Sequence, residues 1–297
     1  MIKPSEFIHP EDAAALRQLE SIPGFPALVK KIMALGFEQL QYGLNMATAI
    51  RLSPTQLPNL YNHLPPICKK LGIAEPEFYL QMDPMPNAWT FGDTKIYITI
   101  TSGLVELLNE EELNAVIAHK CGHILCRHVL YHSIANYLLL GADSLGILGS
   151  LTAPVKYAIY YWQRKSELSC DRCAAIVTSP EVVARSMARL SGGPKKITDE
   201  LNMIEWARQA DQYETIKNDG LWNKALQLSV TLGQSHPFSA VRVREILKWA
   251  DTPQYKALTQ HLLTGASEKL CPGCGKPVRV TKNNDSANFC CGCGERL

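Results

Sequence analysis

Residues 114–128 read NAVIAHKCGHILCRH, and this stretch decides how the rest of the chain is interpreted. It contains His119 and His123, four positions apart, so in a helix one turn separates them and both imidazoles leave the same face. Helices that carry H-E-x-x-H use this spacing to supply two ligands to a zinc ion. The residue after His119 is Lys120, however, and not the glutamate of that motif. The metal-binding half of the motif is therefore present, and the proton-transferring half is missing.

The composition is that of a globular protein with enough residues for one sizeable core and a small appendage. The 297 residues are 46% hydrophobic and 20% charged, and the formal net charge is +2. This balance gives no argument for binding nucleic acid or an acidic surface. The N-terminal residues include charges and prolines where a signal peptide needs an apolar core, so a cytoplasmic location is expected. Ten cysteines in such a chain indicate metal ligands or reduced thiols before disulfides.

Three regions differ in their sequence pattern. Residues 1–74 have a helical pattern without a catalytic cluster, residues 75–264 form the main domain, and residues 265–297 form a cysteine-rich tail. In the main domain, β-branched and aromatic runs at 78–80 and 96–100 predict a small antiparallel sheet. Its edge could pair with an extended peptide, or the sheet could only pack on the helices. The other patterns predict helices. One of them begins at an N-cap at Asn109 and runs through the histidine pair, and residues 181–264 are expected to be helical throughout. The fold class is therefore mainly α (α+β).

The most apolar stretch of the chain, residues 134–162, does not qualify as a membrane span. Asp143 and Lys156 interrupt it, and glycines and a proline break it further, so it does not contain the ~18 uninterrupted apolar residues of a spanning helix. A buried helical hairpin is the favoured interpretation. The alternative is a hairpin that contacts a membrane surface, which would make the protein peripheral to a membrane.

A second segment, residues 164–175, is predicted to form a helix that completes the metal site. Glu167 and Asp171 are four positions apart and share a face of that helix. A carboxylate from a second helix is the third ligand of a His-His-Glu zinc site, which leaves a fourth position for water. Asp171 is placed to accept the other N–H of a ligating histidine. A solvated charged face is the alternative for this segment, and the histidine pair decides in favour of the site.

The tail contains two C-x-x-C pairs, each followed by glycine, and this spacing predicts a zinc ribbon with a tetrahedral Cys₄ site. Its ligands would be Cys271, Cys274, Cys290 and Cys293. Metal binding would largely drive the folding of so short a segment. The ribbon could recruit a protein partner, whereas three nearby cations are a weak argument for nucleic acid. In the core, Cys126 and Cys170 are expected to be small buried hydrophobes, with a second metal or redox role as the minor alternative.

Taken in order, these motifs resemble the HtpX-like and CaaX-prenyl-protease type of zinc metallopeptidase, metallopeptidase family forty-eight. The resemblance covers residues 75–247 and extends more loosely to the N-terminus. The residues that carry it are Asn87-Ala88 with Gly92, the run ending in His119-x-x-Gly122-His123, Arg164-x-x-Glu167 with Asp171, and His236-Pro237 followed by Arg242.

The resemblance implies a helical zincin-type core with a small edge sheet that hydrolyses peptide or protein substrates with zinc-activated water. The zinc ligands it implies are His119, His123 and Glu167. Asp171 would accept a hydrogen bond from a ligating histidine without binding the metal itself. His236 would hold the substrate or the developing oxyanion. The strand near Asn87 and Ala88 would bind the substrate backbone. Many relatives carry membrane helices, including in the segment that matches residues 134–162.

Lys120 departs from the pattern at the position of the general base. A protonated lysine has no lone pair and cannot accept a proton from zinc-bound water, and its charge opposes metal binding. Loss of a general base typically costs ~10²–10⁴-fold in rate. A neutral lysine acting as a base or as a ligand is a less favoured alternative. The sequence therefore predicts a metalloendopeptidase that is inactive or strongly impaired as written, or a pseudo-peptidase that binds peptide or protein through its groove and ribbon.

Overall fold

The computed structural model describes residues 2–25, 27, 29, 36–139, 153–218, 238–264, 266–270 and 277–281. The chain forms two compact units, Met1–Lys248 and Trp249–Leu297. It is mainly helical with a small sheet, as the sequence predicted. The domain boundaries that the sequence predicts, at residues 74 and 264, stay predictions.

Helices make up most of the first unit. After a short 3₁₀ helix at Pro4–Glu6, they are α1 Pro10–Glu20, α2 Phe37–Thr48, α3 Pro58–Tyr61, α4 Leu64–Leu71, α5 Ser102–Leu107, α6 Glu110–Leu125, α7 Val129–Leu139, α8 Ala153–Val177, α9 Pro180–Gly192, α10 Lys195–Thr198, α11 Met203–Asn218 and α12 Ser239–Ala250, whose end enters the second unit. The expected helical character of residues 181–264 is confirmed in the ranges that are described.

The sheet of the first unit has four strands in the order β1-β2-β4-β3. The strands are β1 Ile50–Arg51, β2 Glu77–Gln81, β3 Ala88–Phe91 and β4 Tyr97–Thr101. The sequence predicted antiparallel pairing, and this was wrong for one pair: β2 and β4 are parallel, while β3 is antiparallel to β4. After β2, the chain does not pair its next strand with β2. β3 instead forms the outer strand, and β4 lies between β2 and β3.

The second unit contains helix α13, Pro253–Thr264, and two strands, β5 Ala266–Leu270 and β6 Pro277–Thr281. The strands pair antiparallel, from Ala266 opposite Thr281 to Leu270 opposite Pro277. The four cysteines predicted to form the ribbon site lie outside the described residues.

A capping box fixes the start of α6, the helix that carries the histidine pair. The side chain of Asn109 accepts a hydrogen bond from the Glu112 backbone N–H at 2.9 Å, and the Glu112 carboxylate accepts one from the Asn109 N–H at 3.1 Å. Three glutamates occupy the first turn, where the helix dipole favours negative charge. The expected cap at Asn109 is therefore confirmed.

Helix α6 packs along α8, and α1 covers another side of α8. Gly122 permits the close approach of the first two helices. A Cβ added there would lie 3.0 Å from the Cys173 Cβ and 3.2 Å from the Cys170 Cα. The two helices are thus in close contact one residue before His123.

Within the described part of the chain, none of the helices has the length and apolar character needed to cross a membrane. Residues 140–152, the middle of the predicted apolar hairpin, lie outside the described residues.

We expect Gly122→Ala to lower the free energy of unfolding by about 1–3 kcal/mol, because the added methyl group would push α6 away from α8. Gly43→Ala is the matched control: Gly43 lies inside α2, and no described atom approaches within 4 Å of an added Cβ. The control should gain about 0.5–1 kcal/mol from helix propensity alone. Urea unfolding measures both, and equal effects in the two variants would contradict the packing argument.

Candidate metal centre

Helices α6 and α8 bring the three predicted metal ligands into direct contact. The Nε2 atoms of His119 and His123 are 3.3 Å apart. The His119 Nε2 is 3.2 Å from one oxygen of Glu167, and the His123 Nε2 is 3.2 Å from the other. All three side chains are buried. Glu167, which is 44 or more positions from each histidine in the chain, therefore meets the pair because α6 packs against α8.

The spacing of these atoms fits a zinc ion. Ligand atoms that each lie ~2.0–2.1 Å from one tetrahedral ion are about 3.3 Å from each other, which matches the separations around Glu167. The chemistry of the donors also fits, since zinc binds neutral imidazole and carboxylate. Burial lowers the pKa of His123 well below its ordinary value, and Glu167 opposes that shift only in part. His123 is therefore neutral at pH 7 and keeps a lone pair for a metal.

Asp171 and Arg242 lie behind His119. The His119 Nδ1 is 2.9 Å from an Asp171 oxygen, so the Nδ1–H donates to the carboxylate and Nε2 carries the lone pair. Arg242 donates to both oxygens of Asp171, at 2.8 and 2.5 Å, and its Nη1 is 3.4 Å from Glu167. Burial raises the pKa of Asp171, but the charge and hydrogen bonds of Arg242 and the bond to His119 outweigh it, so the pKa is lowered overall.

Lys120 lies in the same buried region, only 9% exposed. Burial lowers its pKa, and the charge of Arg242 acts in the same direction. The carboxylates of Glu167 and Asp171 oppose that shift. The Lys120 ammonium therefore interacts electrostatically with the carboxylates of Glu167 and Asp171 and with the Arg242 guanidinium. It lies in the same cleft as the proposed metal ligand Glu167.

The centre opens into a cleft of about 250 Å³. One wall is the start of β3, which is the outer strand of its sheet and so has one edge not paired within that sheet. Asn87 and Ala88 are part of this wall, together with Pro86. Apolar side chains of α9 also line the cleft, namely Val183, Met187 and Leu190. The cleft therefore places a strand edge, apolar side chains and the candidate metal centre next to one another.

The structure brings most of the predicted site residues to this cleft. His119, Lys120, Glu167, Asp171, Asn87 and Ala88 line it, and His123 reaches the same cluster from inside α6. His236 lies outside the described residues, as do Cys271, Cys274, Cys290 and Cys293.

Sequence reasoning missed several residues around the centre. Arg242 belongs to one of the sequence motifs, but nothing in its local sequence indicates that it pairs with Asp171. His132 lies with its ring centroid 4.6 Å from that of His123. His128 lies 5.6 Å away by the same measure, and the Cys170 Sγ is 3.7 Å from its Nδ1. Cys126 and Cys170 are buried, and burial raises the pKa of each thiol. The two histidines follow α6 closely in sequence, and that proximity was the available signal.

Comparisons with known proteins agree with this geometry. The family model described as "Peptidase family M48" matches residues 55–250. The chain is 34% identical over 258 residues to the plastoglobule-localized metallopeptidase 48 of Arabidopsis thaliana, covering 85% of this chain and 74% of that protein. It is 32% identical over 117 residues to a Protease HtpX homolog of Pelotomaculum thermopropionicum, covering 37% and 42%.

A Protease HtpX homolog of Ralstonia pickettii is 22% identical over 260 residues, which cover 76% of this chain and 88% of that protein. No solved structure matches the chain significantly.

We expect Arg242→Gln to destabilise the metal-free protein by about 3–5 kcal/mol at pH 7, because it leaves the buried Asp171 carboxylate without its charge partner. In the unchanged protein the lowered pKa of Asp171 stabilises the fold above the pKa of the unfolded chain, and this contribution is lost as the pH falls through the folded pKa. The variant lacks that contribution, so the gap between the two proteins should narrow on acidification.

Arg244→Gln is the control on the same helix. Arg244 pairs with Asp211 and Glu214, which are largely exposed, so its loss should cost no more than about 1 kcal/mol of ion-pair energy. Urea unfolding at pH 7 and at a pH well below the pKa of ~3.9 of a free aspartate measures both variants. A gap for Arg242→Gln that does not change with pH would contradict the role assigned to Asp171.

Proposed function

Because the chain belongs to Peptidase family M48, we propose that it is a zinc metalloendopeptidase scaffold whose hydrolytic step is lost or strongly impaired by Lys120. The observation that carries the proposal is the position of this lysine. It directly follows His119 and lines the cleft in which a peptide bond would meet the metal.

His119, His123 and Glu167 would hold the zinc ion, as their contacts of 3.2–3.3 Å support. Bound zinc lowers the pKa of a coordinated water and polarises a substrate carbonyl. Asp171 accepts the Nδ1–H of His119, which leaves the Nε2 lone pair for a metal ion, and Arg242 holds Asp171 through its hydrogen bonds. These residues keep the geometry of the centre without taking part in proton transfer.

The edge of β3 would hold the substrate. An extended peptide can add to an outer strand through backbone hydrogen bonds, and Asn87 and Ala88 lie where this strand enters the cleft. His236 would hold the substrate or the developing oxyanion, as the family resemblance implies. The substrate class is therefore peptide or protein.

Lys120 has the wrong chemistry for the general base. In its protonated form it has three donors and no lone pair, so it cannot take a proton from a water molecule. Its positive charge, added to that of Arg242, also opposes a dication beside it. A lysine made neutral by burial would recover a lone pair, and this is the route by which residual activity could survive.

A second candidate function is peptide binding without hydrolysis. It is favoured by the strand edge and the apolar side chains of the cleft, which do not depend on residue 120. The same cleft would then capture a peptide or protein, and the tail would recruit a protein partner. We further propose that the protein is cytoplasmic or peripheral to a membrane. We also propose that its domains divide at residues 74 and 264.

We propose a second zinc ion in the tail, held by Cys271, Cys274, Cys290 and Cys293. The paired strands β5 and β6 support this idea, because β6 lies between the two C-x-x-C pairs and β5 ends directly before the first pair. The binding of one zinc ion by four thiolates would fold a segment that has little core of its own.

We expect Lys120→Glu to raise kcat/KM for peptide hydrolysis by ~10²–10⁴-fold, because it restores a carboxylate base beside the metal ligands. Lys120→Gln removes the charge without adding a base, so it should bind zinc more tightly than the unchanged protein yet hydrolyse no faster. Equal rates for the unchanged protein and Lys120→Glu, both loaded with zinc, would contradict the general-base argument. Peptide binding without hydrolysis in Lys120→Glu would favour the second candidate.

Metal analysis tests the number of zinc sites. We expect two zinc ions per chain when both sites are loaded, and one when Cys271→Ser and Cys274→Ser are combined, because two thiolates cannot hold the ion alone. Changing Cys291 to Ser is the control, since this cysteine does not fit the C-x-x-C spacing. An unchanged zinc content in the double variant would rule out the ribbon site.

A further inference from the structure

A third histidine lies beside the candidate metal centre and belongs to a helix that the family resemblance does not include among the ligands. His132 is on α7, and its ring centroid is 4.6 Å from that of His123. One ligand atom each from His132, His123 and Glu167 lie within 4.8 Å of one another. We propose that His132 is an additional protein ligand to the zinc ion, an inference that rests on the proposed site at His119, His123 and Glu167.

Hydrogen bonds define which nitrogen of His132 could bind a metal. The Ser166 hydroxyl donates to the Gln163 carbonyl at 2.8 Å, so its only proton is committed. The Ser166 Oγ is also 2.8 Å from the His132 Nε2, and it must accept there. Nε2 therefore carries the ring proton, and Nδ1 carries the lone pair that a metal requires.

This arrangement is the one that metal-ligating histidines have in proteins. Such a histidine binds the ion through one ring nitrogen and donates from the other to an oxygen that fixes the ring. Ser166 is completely buried and directly precedes Glu167, so the residue that would orient His132 is next in sequence to a proposed ligand. Helix α8 would thus place the carboxylate ligand and the support for the additional histidine together.

His132 approaches from the side away from Lys120. Lys120 lines the cleft, whereas the ring of His132 lies 5.0 Å from that of the fully buried Trp162. A ligand on the inner side would add no protein donor on the cleft side, and catalytic zinc sites sometimes expand to five ligands during hydrolysis. It also adds a donor in a chain whose Lys120 weakens metal binding. His132 would therefore let this chain keep its zinc in spite of the lysine.

The test measures zinc affinity by chelator competition in the full-length chain carrying Cys271→Ser and Cys274→Ser, so that the tail does not contribute. We expect His132→Ala and His132→Gln to weaken zinc binding at least ~10-fold. Replacing a residue that only hydrogen-bonds a metal ligand typically costs about 10–100-fold in metal affinity or activity. The visible spectrum of the cobalt(II) form should also change, because a nitrogen donor is lost. His63→Ala is the control, since the His63 ring hydrogen-bonds Asn114 and is not part of the cluster.

A zinc affinity and cobalt spectrum unchanged in folded His132 variants would overturn the inference. If His119→Ala abolishes binding while His132→Ala has no effect, the proposed function stands and only the inference fails. If His119→Ala also has no effect, the proposed centre itself fails.

Should neither His132 variant fold, the unchanged protein gives the answer through ¹⁵N NMR of its histidine rings. Zinc addition should shift the Nδ1 signal of His132, and an Nδ1 signal that zinc does not move would reject the additional ligand.

Discussion

The close packing of α6 against α8 is the constraint on which the centre depends. Ionisable groups are expensive to bury, yet this interface contains two histidines, a lysine and two carboxylates, with an arginine supplied by α12. Such a cluster is tolerated because each group faces an opposite charge or a hydrogen-bond partner. Gly122 brings the helices close enough for those contacts to form. The site is therefore a property of the helix interface, and not of either helix alone.

The charge balance of the cluster shows what Lys120 changes. In the family pattern, a carboxylate at this position would join Glu167 and Asp171 against the single positive charge of Arg242. That set has a net charge of −2, which a zinc dication neutralises. With a protonated Lys120 the same set has no net charge before any metal binds. On the proposed function, a lysine in place of that carboxylate would remove both a base and the electrostatic attraction for the ion, while the buried cation still has carboxylates near it.

Local patterns were sufficient to predict the helices that carry the site. The capping residues placed the start of α6, and the i, i+4 spacing placed His119 with His123 and Glu167 with Asp171 on shared faces. The parallel pairing of β2 with β4 was not predicted, because it depends on where the intervening strand settles. The contact between Arg242 and Asp171 joins residues 71 positions apart, and nothing near either residue in the sequence indicates it.

The N-terminal helix gives a second example of a long-range contact that shapes the centre. Asp12 on α1 is completely buried, accepts a hydrogen bond from Ser169 at 2.5 Å, and lies 3.1 Å from the His128 Nε2. Burial raises the pKa of Asp12, but the close contact with His128 and the hydrogen bond from Ser169 outweigh it and the pKa is lowered, so the carboxylate is charged. Ser169 is two residues from Glu167, and the contact therefore restricts rotation of α8 about its axis.

The orientation of Glu167 is thus held from both sides of its helix, by α1 on one side and by the α6 histidines on the other. Neither set of contacts involves residue 120 directly. On the proposed function, this independence would let a hydrolase scaffold carry a lysine at the general-base position and still keep the remainder of the centre in place.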